Sequence, residues 1–355
     1  MNVRSTEIGT YALPQTGGVA STRGAGQVRA RDPVIDTMRG VAILMVIGIH
    51  SLPRGDTSMT VVAVDSMLRP CVPIFLFASG YLTARAGNFN LMRRAARVLS
   101  AYTVAFAAAY LFMAAENPQM DHRIALVFVR YVLAYVFVYY YVFVYLGCTL
   151  MLWLLIAAAG DGKSGRQRLA VFLSLSIVLG LAAGAYLDPL LHRFGIPDSL
   201  VEEARMRDLP FWFAFVAAGG IVGIVRAESL LSDLRMALAV IAALAYAAYA
   251  AVRIFHLGDA ADYDSSAYFV YSILFCLALL AFAPTSPVLA FLGTASYAIY
   301  LWHIFAIMAL RDNFPSLPAS AQFLIDYASA LGTSLALVLI VKWSRVPRLS
   351  QWLGA

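Results

Sequence analysis

The sequence predicts an all-α, polytopic integral membrane protein with about ten transmembrane helices and both termini cytoplasmic. Three observations lead there. Hydrophobic residues make up 61% of the chain and charged residues only 13%, where soluble domains carry about 25% charged residues. The apolar residues fall in runs close to the roughly 20 residues that a bilayer requires. The Lys and Arg between those runs are unequally distributed, as the positive-inside rule demands of short loops. The spans use up the length, so no soluble catalytic domain is expected.

Residues 1–32 are rich in Gly, Ser, Thr and Ala and carry Arg4, Arg23, Arg29 and Arg31. No apolar core follows the first charges, so this is not a cleaved signal peptide, and a disordered cytoplasmic tail is expected. Apolar runs follow at about 34–52, 71–86, 98–115, 139–159, 169–187, 209–225, 234–254, 267–283, 289–310 and 322–341. The stretch 123–159 is long enough for two short crossings, but two would put Lys163, Arg166 and Arg168 outside. One crossing keeps them inside, so 124–138 is expected to be a re-entrant or interfacial helix. The cytoplasmic segments of this topology hold most of the 26 Lys+Arg. The domain organisation is then a tail at 1–32, a transmembrane domain at 33–342 and a basic cytoplasmic tail at 343–355.

The net charge of +6 follows from topology and implies no nucleic-acid partner. Cys71, Cys148 and Cys276 are odd in number and lie in apolar surroundings. They read as packing residues, with no disulfide framework and no metal cluster. The two halves show no repeat and no matched broken spans of the inverted-repeat transporter kind.

Polar residues inside the spans carry the functional signal, because an ionisable group there costs several kcal/mol and marks a polar cavity. In the first span, Arg39 and His50 are 11 residues apart, on nearly the same helix face and about 16 Å apart along the axis; Asp36 lies near that face. The first inner loop holds Arg93, Arg94 and Arg97. It can serve as an anchor for anionic membrane lipids. It can also form a phosphate site, since Arg94 and Arg97 are i, i+3 and can face one anion. In span 2, Ser79-Gly80 is more often a close-packing pair than a nucleophile, and no Gly-x-Ser-x-Gly surrounds it. In span 9, Ser296, Tyr300 and His303 form one polar stripe at i, i+4, i+7, although a lone buried His is often just satisfied by a backbone carbonyl. The run Tyr139-Tyr140-Tyr141 with Tyr145 is explained by an aromatic belt at the outer interface; a sugar-stacking surface is the alternative.

Asp36-x-x-Arg39-Gly-x-Ala…His50, Pro73-x-Phe75…Ser79-Gly80-Tyr81, Arg94-x-x-Arg97 and Ser296-Tyr297-x-x-Tyr300-Leu-Trp302-His303 occur in that order over about residues 33–310. Together they resemble the acyltransferase 3 family of membrane proteins, whose best-known signature is Arg-x10-His in span 1. The resemblance implies about ten helices and transfer of an acyl group, most often acetyl from acetyl-CoA. The acceptor it implies is a sugar hydroxyl of an exopolysaccharide or other surface glycan, or of its lipid-linked oligosaccharide precursor. The location implied is the bacterial inner (cytoplasmic) membrane. The chain resembles the family's short form, which lacks a C-terminal periplasmic domain.

Acyl transfer to a hydroxyl needs a base, a positive group for the donor and stabilisation of an oxyanion. His50 is the candidate base. Arg39 would meet coenzyme A or steady the thioester, with Asp36 either fixing its rotamer or forming a purely structural pair with it, and Arg94, Arg97 and Arg93 would grip phosphates. His303, Tyr300 and Ser296 would line the acceptor side or stabilise the oxyanion. Direct transfer and an acyl-enzyme route both fit; for a covalent step His50 is favoured over Ser79, which has no obvious base. No metal is expected. The rival readings are a transporter or flippase of a lipid-linked glycan, and a different membrane acyltransferase superfamily acting on lipid or protein.

Overall fold

A computed structural model describes residues 31–117, 119–258, 263–313 and 318–355; nearly all of the expected N-terminal tail lies outside the described residues. In chain order the helices are α1 (Pro33–Ser51), α2 (Met59–Leu68), α3 (Cys71–Ala86), α4 (Leu91–Glu116), α5 (Ile124–Val132), α6 (Tyr140–Ala159), α7 (Gly162–Arg193), α8 (Asp198–Met206), α9 (Leu209–Val225), α10 (Glu228–Asp233), α11 (Arg235–Ile254), α12 (Ser266–Phe282), α13 (Pro287–Asn313), α14 (Ala319–Ser344) and α15 (Pro347–Leu353). No strand occurs among the described residues.

Among the described residues, nine helical stretches, counting α2–α3 and α8–α9 as one each, are long and apolar enough to cross a membrane; α12, at 17 residues, is a shorter apolar helix. These ten correspond one for one to the apolar runs of the sequence, and the chain is a multi-pass membrane protein. In the ambiguous stretch 123–159, α5 has nine residues, about 13 Å of helix, too short to cross. Ile124 and Phe128 on it are exposed. The chain then turns inward through Ala134 and Phe137, both with positive φ, and buries Val136 and Tyr139.

Local chemistry sets the helix starts that matter for the site. Asp32 caps α1, accepting from the amides of Val34 (3.0 Å) and Ile35 (3.2 Å), with Pro33 at the first helical position, where its missing N–H costs nothing. Asn90 caps α4 by accepting from the amide of Arg93 at 2.8 Å. The left-handed Gly87 (φ 78°) ends α3 just before it.

Lipid provides no hydrophobic drive between helices, so close packing of small residues must hold them together. α1 and α13 meet backbone to backbone. A Cβ on Gly293 would sit 1.8 Å from the Asp36 carbonyl oxygen, and one on Gly40 2.0 Å from that of Leu289. α3 and α9 meet in the same way through Gly80 and Gly219. These helices form the centre: the apolar windows of α1 and of the α8–α9 stretch are 61% buried, against 17% for α11, which lies at the periphery.

A cluster of buried charges ties two helices of the bundle together. Arg69 Nε meets Asp65 Oδ2 at 2.8 Å, and Arg253 reaches the same oxygen at 2.6 Å and Ser66 Oγ at 2.8 Å, tying α2 to α11. The basic segment 343–355 carries α15, which docks on α4 and α13. Ser100 Oγ donates to the Gln351 carbonyl (3.5 Å) and Trp302 Nε1 to that of Leu353 (3.3 Å).

The contact between α1 and α13 leaves no room for a side chain at Gly293. Gly293→Val lowers stability by about 2 kcal/mol through overpacking, read as thermal unfolding in detergent. Gly332→Ala, where a Cβ meets nothing within 4 Å, leaves stability unchanged or raises it by up to about 1 kcal/mol through helix propensity.

Candidate active site

Five helices enclose one cavity of about 320 Å³, at the lower end of the range for small-molecule sites (about 300–1,000 Å³). α1 contributes Arg39 and Val46, α3 Val72 and Phe75, α4 Arg94, Arg97 and Val98, α6 Tyr141, Val142 and Tyr145, and α13 Ser296, Tyr297 and Tyr300. Its charged lining is entirely cationic and the remainder is aromatic and aliphatic, with Ser296 the one small hydroxyl.

Arg39 is held from two sides. Its Nη1 lies 3.8 Å from Asp36 Oδ1, a long ion pair one turn earlier on α1, and its Nη2 donates to Ser296 Oγ at 3.3 Å. The side chain stays 34% exposed, so the guanidinium keeps donors for a ligand in the cavity. Arg94 is aimed by Thr83, whose Oγ1 accepts from its Nη1 at 3.0 Å, and by the Phe89 ring, 4.4 Å from its guanidinium carbon, a cation–π distance. Arg97 lies one turn further along α4 and is exposed. Arg93, about 100° round the helix from Arg94, is also exposed but does not line the cavity.

The two histidines lie one turn past the cavity lining, His50 beyond Val46 and His303 beside Tyr300. Their ring centroids are 5.4 Å apart. The two carbonyls facing His303 Nδ1 assign its tautomer. That nitrogen lies 2.8 Å from the Tyr300 oxygen and 3.1 Å from the Ile299 oxygen. Both are pure acceptors, so Nδ1 carries the proton, and in the neutral ring Nε2 is the lone-pair nitrogen. Nε2 is buried and accepts no hydrogen bond, and such an atom inside a protein calls for an explanation. The backbone therefore occupies one nitrogen of His303 and leaves the other as a fixed acceptor.

Two expectations change. The tyrosine run is not an interfacial belt: Tyr139 is fully buried and donates to the Leu301 carbonyl at 2.7 Å, while Tyr141 and Tyr145 face the cavity. The run starts α6 at a point where the chain has already turned inward, so its polar tips find protein partners rather than headgroups. Tyr300 is not free to donate to an oxyanion, because its hydroxyl donates to the Val138 carbonyl at 2.6 Å. It holds α13 to the turn before α6. Ser79 does not line the cavity, and its neighbour Gly80 is the contact point for α9.

One part of the site escaped the sequence reading. Arg311 and the fully buried Asp326 pair at 2.7 Å, and Arg311 Nη2 reaches the carbonyls of His50 (3.1 Å) and Leu52 (3.0 Å). The signal was present: Asp326 is an ionisable residue within the apolar run 322–341, the same warning that drew attention to Arg39.

The acyltransferase 3 family model, described as an acyltransferase domain, matches residues 32–343. The chain belongs to the acyltransferase 3 family. No curated protein and no solved structure matches it. The matched range contains all five cavity-forming helices and both histidines, so the cavity is part of the acyltransferase domain itself.

Tyr300→Phe removes one buried hydrogen bond and leaves the Val138 carbonyl unpaired, lowering stability by about 1–3 kcal/mol. Acyl transfer by the folded fraction stays within a few-fold of wild type. A loss of transfer at full stability would instead make the hydroxyl part of the chemistry.

Proposed function

We propose that this acyltransferase moves a short acyl group, acetyl from acetyl-CoA, to a sugar hydroxyl of a surface glycan or its lipid-linked precursor, in the bacterial inner membrane. The observation that carries the reading is one cavity with three arginines on its wall and a close histidine pair one turn past it. Arg39 and His50 are separated by about 16 Å along α1. A donor held by phosphate at Arg94 and Arg97 therefore needs a long, thin arm to bring a reactive carbonyl to the histidines, and coenzyme A has one. Val72, Phe75, Val98, Tyr141 and Tyr145 would sheathe that arm. The arginine end faces the cytoplasm in this reading, where the Lys and Arg of the loops concentrate and where acetyl-CoA is found.

His50 takes the proton of the acceptor hydroxyl. The hydroxyl oxygen bonds to the thioester carbonyl carbon, the carbon–sulfur bond breaks, and coenzyme A leaves as a thiolate that then takes up a proton. His303 Nε2, the open acceptor on the ring 5.4 Å from that of His50, would accept from the other ring nitrogen of His50 once substrate is bound and keep the imidazole turned toward it, as a triad's third member does. Arg39 supplies positive charge to the donor at the arginine end of the cavity, and Ser296 holds it there.

The test is the O-acetyl content of surface polysaccharide in a deletion strain complemented at equal expression, with coenzyme A release measured on purified protein. Wild type restores both readouts; His50→Ala and Arg39→Ala restore neither. Arg94→Ala and Arg97→Ala each raise KM for acetyl-CoA by about 10- to 100-fold, as loss of a charged hydrogen bond of about 1.5–3 kcal/mol requires. Arg93→Ala stays near wild type. Acetylation that survives the deletion, with loss of the polymer itself, would point to transport of a lipid-linked glycan instead.

A further inference from the structure

The histidine pair spans two helices, so its geometry is only as good as the joint between them. α1 ends at Ser51, and the last carbonyls of any helix have no donor within it. Here the gap is filled from α13. One nitrogen of Arg311, Nη2, donates to the carbonyl of His50 and to that of Leu52. Arg311 sits eight residues beyond His303 on the same helix, about 12 Å along its axis. The helix that carries one histidine therefore grips the backbone of the other. A cation at a helix C-terminus also meets the negative end of the helix dipole.

The guanidinium is itself anchored. Its Nε donates to Asp326 Oδ2 at 2.7 Å, and the second oxygen of Asp326 accepts from Gln322 Nε2 at 2.7 Å. Asp326 is completely buried and the Arg311 side chain is 13% exposed. Both partners lie on α14, so three helices fix one arginine whose free edge points at the residue carrying the candidate base. The arginine of this sheltered ion pair lies in the last turn of α13. α1 and α13 are already in backbone contact at their other ends through Gly40 and Gly293.

We propose that Arg311 and Asp326 are positioning residues that set the distance between His50 and His303. The proposal rests on the reading above that this pair performs the proton transfer. Neither residue touches substrate; Arg311 acts through the His50 backbone, and Asp326 acts through Arg311.

The experiment uses full-length protein with Cys71, Cys148 and Cys276 replaced by alanine. One version carries His50→Cys with His303→Cys, and a control carries Thr37→Cys with Ser286→Cys. The control positions touch at the opposite end of the same helix pair, where the Ser286 amide donates to Thr37 Oγ1 at 3.2 Å. Disulfide yield under mild oxidation reads the two joints separately. Arg311→Gln cuts the 50–303 yield several-fold and leaves the 37–286 yield unchanged. With both histidines present, the same substitution lowers kcat by about 100-fold, the effect of a misplacement of the order of 1 Å, with KM for acetyl-CoA unchanged. Asp326→Asn shifts both readouts the same way, and Arg311→Lys, which retains the charge facing Asp326, recovers part of each. If Arg311→Gln does not fold, Arg311→Lys and Asp326→Asn carry the test. An unchanged 50–303 yield overturns the proposal, and so does equal loss at both pairs, which would make Arg311 a support of the whole bundle. If the disulfide pattern is as stated but wild-type protein transfers no acyl group from acetyl-CoA, the positioning stands and the reading of the pair's chemistry falls.

Discussion

Contact between the backbones of α1 and α13 is the constraint on which the rest of the site depends. Gly40 and Gly293 admit no side chain between the helices, and this closeness aligns two polar pairs along a single seam. Near one end Arg39 reaches Ser296; near the other His50 faces His303. Both are consequences of one packing decision. In a bilayer such contact cannot be replaced by hydrophobic attraction, since lipid tails satisfy apolar surface as well as another helix does. Small residues on facing helices are therefore what brings distant functional groups within reach of one another.

Around that seam several charges in the bundle are held by specific partners. Arg94 is aimed by Thr83 and Phe89. Asp65 holds two arginines, and Asp326 holds Arg311. His303 Nε2 is buried and unpartnered, beside the ring of His50. A buried acceptor left open costs about 1–3 kcal/mol. An open acceptor beside the candidate base is consistent with acyl transfer, in which a hydroxyl proton has to leave.

The tyrosines illustrate how environment assigns a role to a residue type. Tyr139, Tyr141, Tyr145 and Tyr300 share one chemistry. Two of them, Tyr139 and Tyr300, donate to backbone carbonyls and join α13 to the start of α6; Tyr141 and Tyr145 line the cavity. An aromatic belt and an aromatic wall read alike along the chain, because both place tyrosines at the end of a span. What separates them is the inward turn at Ala134 and Phe137, a backbone event that no hydrophobic pattern announces.

Much of this protein can be read from residue order alone. Ten apolar runs define ten helices because bilayer thickness and the need to satisfy every backbone group leave few alternatives. Arg39, His50 and the Arg94–Arg97 pair stand out because charge inside or beside a span is costly and helical periodicity gives each its face. Across helices that periodicity is silent. Arg39 meeting Ser296, His50 meeting His303, and Arg311 reaching back to the end of α1 each join residues more than 250 positions apart in the chain. The same holds for Arg93, which shares its charge with Arg94 and Arg97 but not their wall of the cavity. Composition and spacing are local properties, whereas a cavity arises only where several helices close on one another, so its membership was settled by packing.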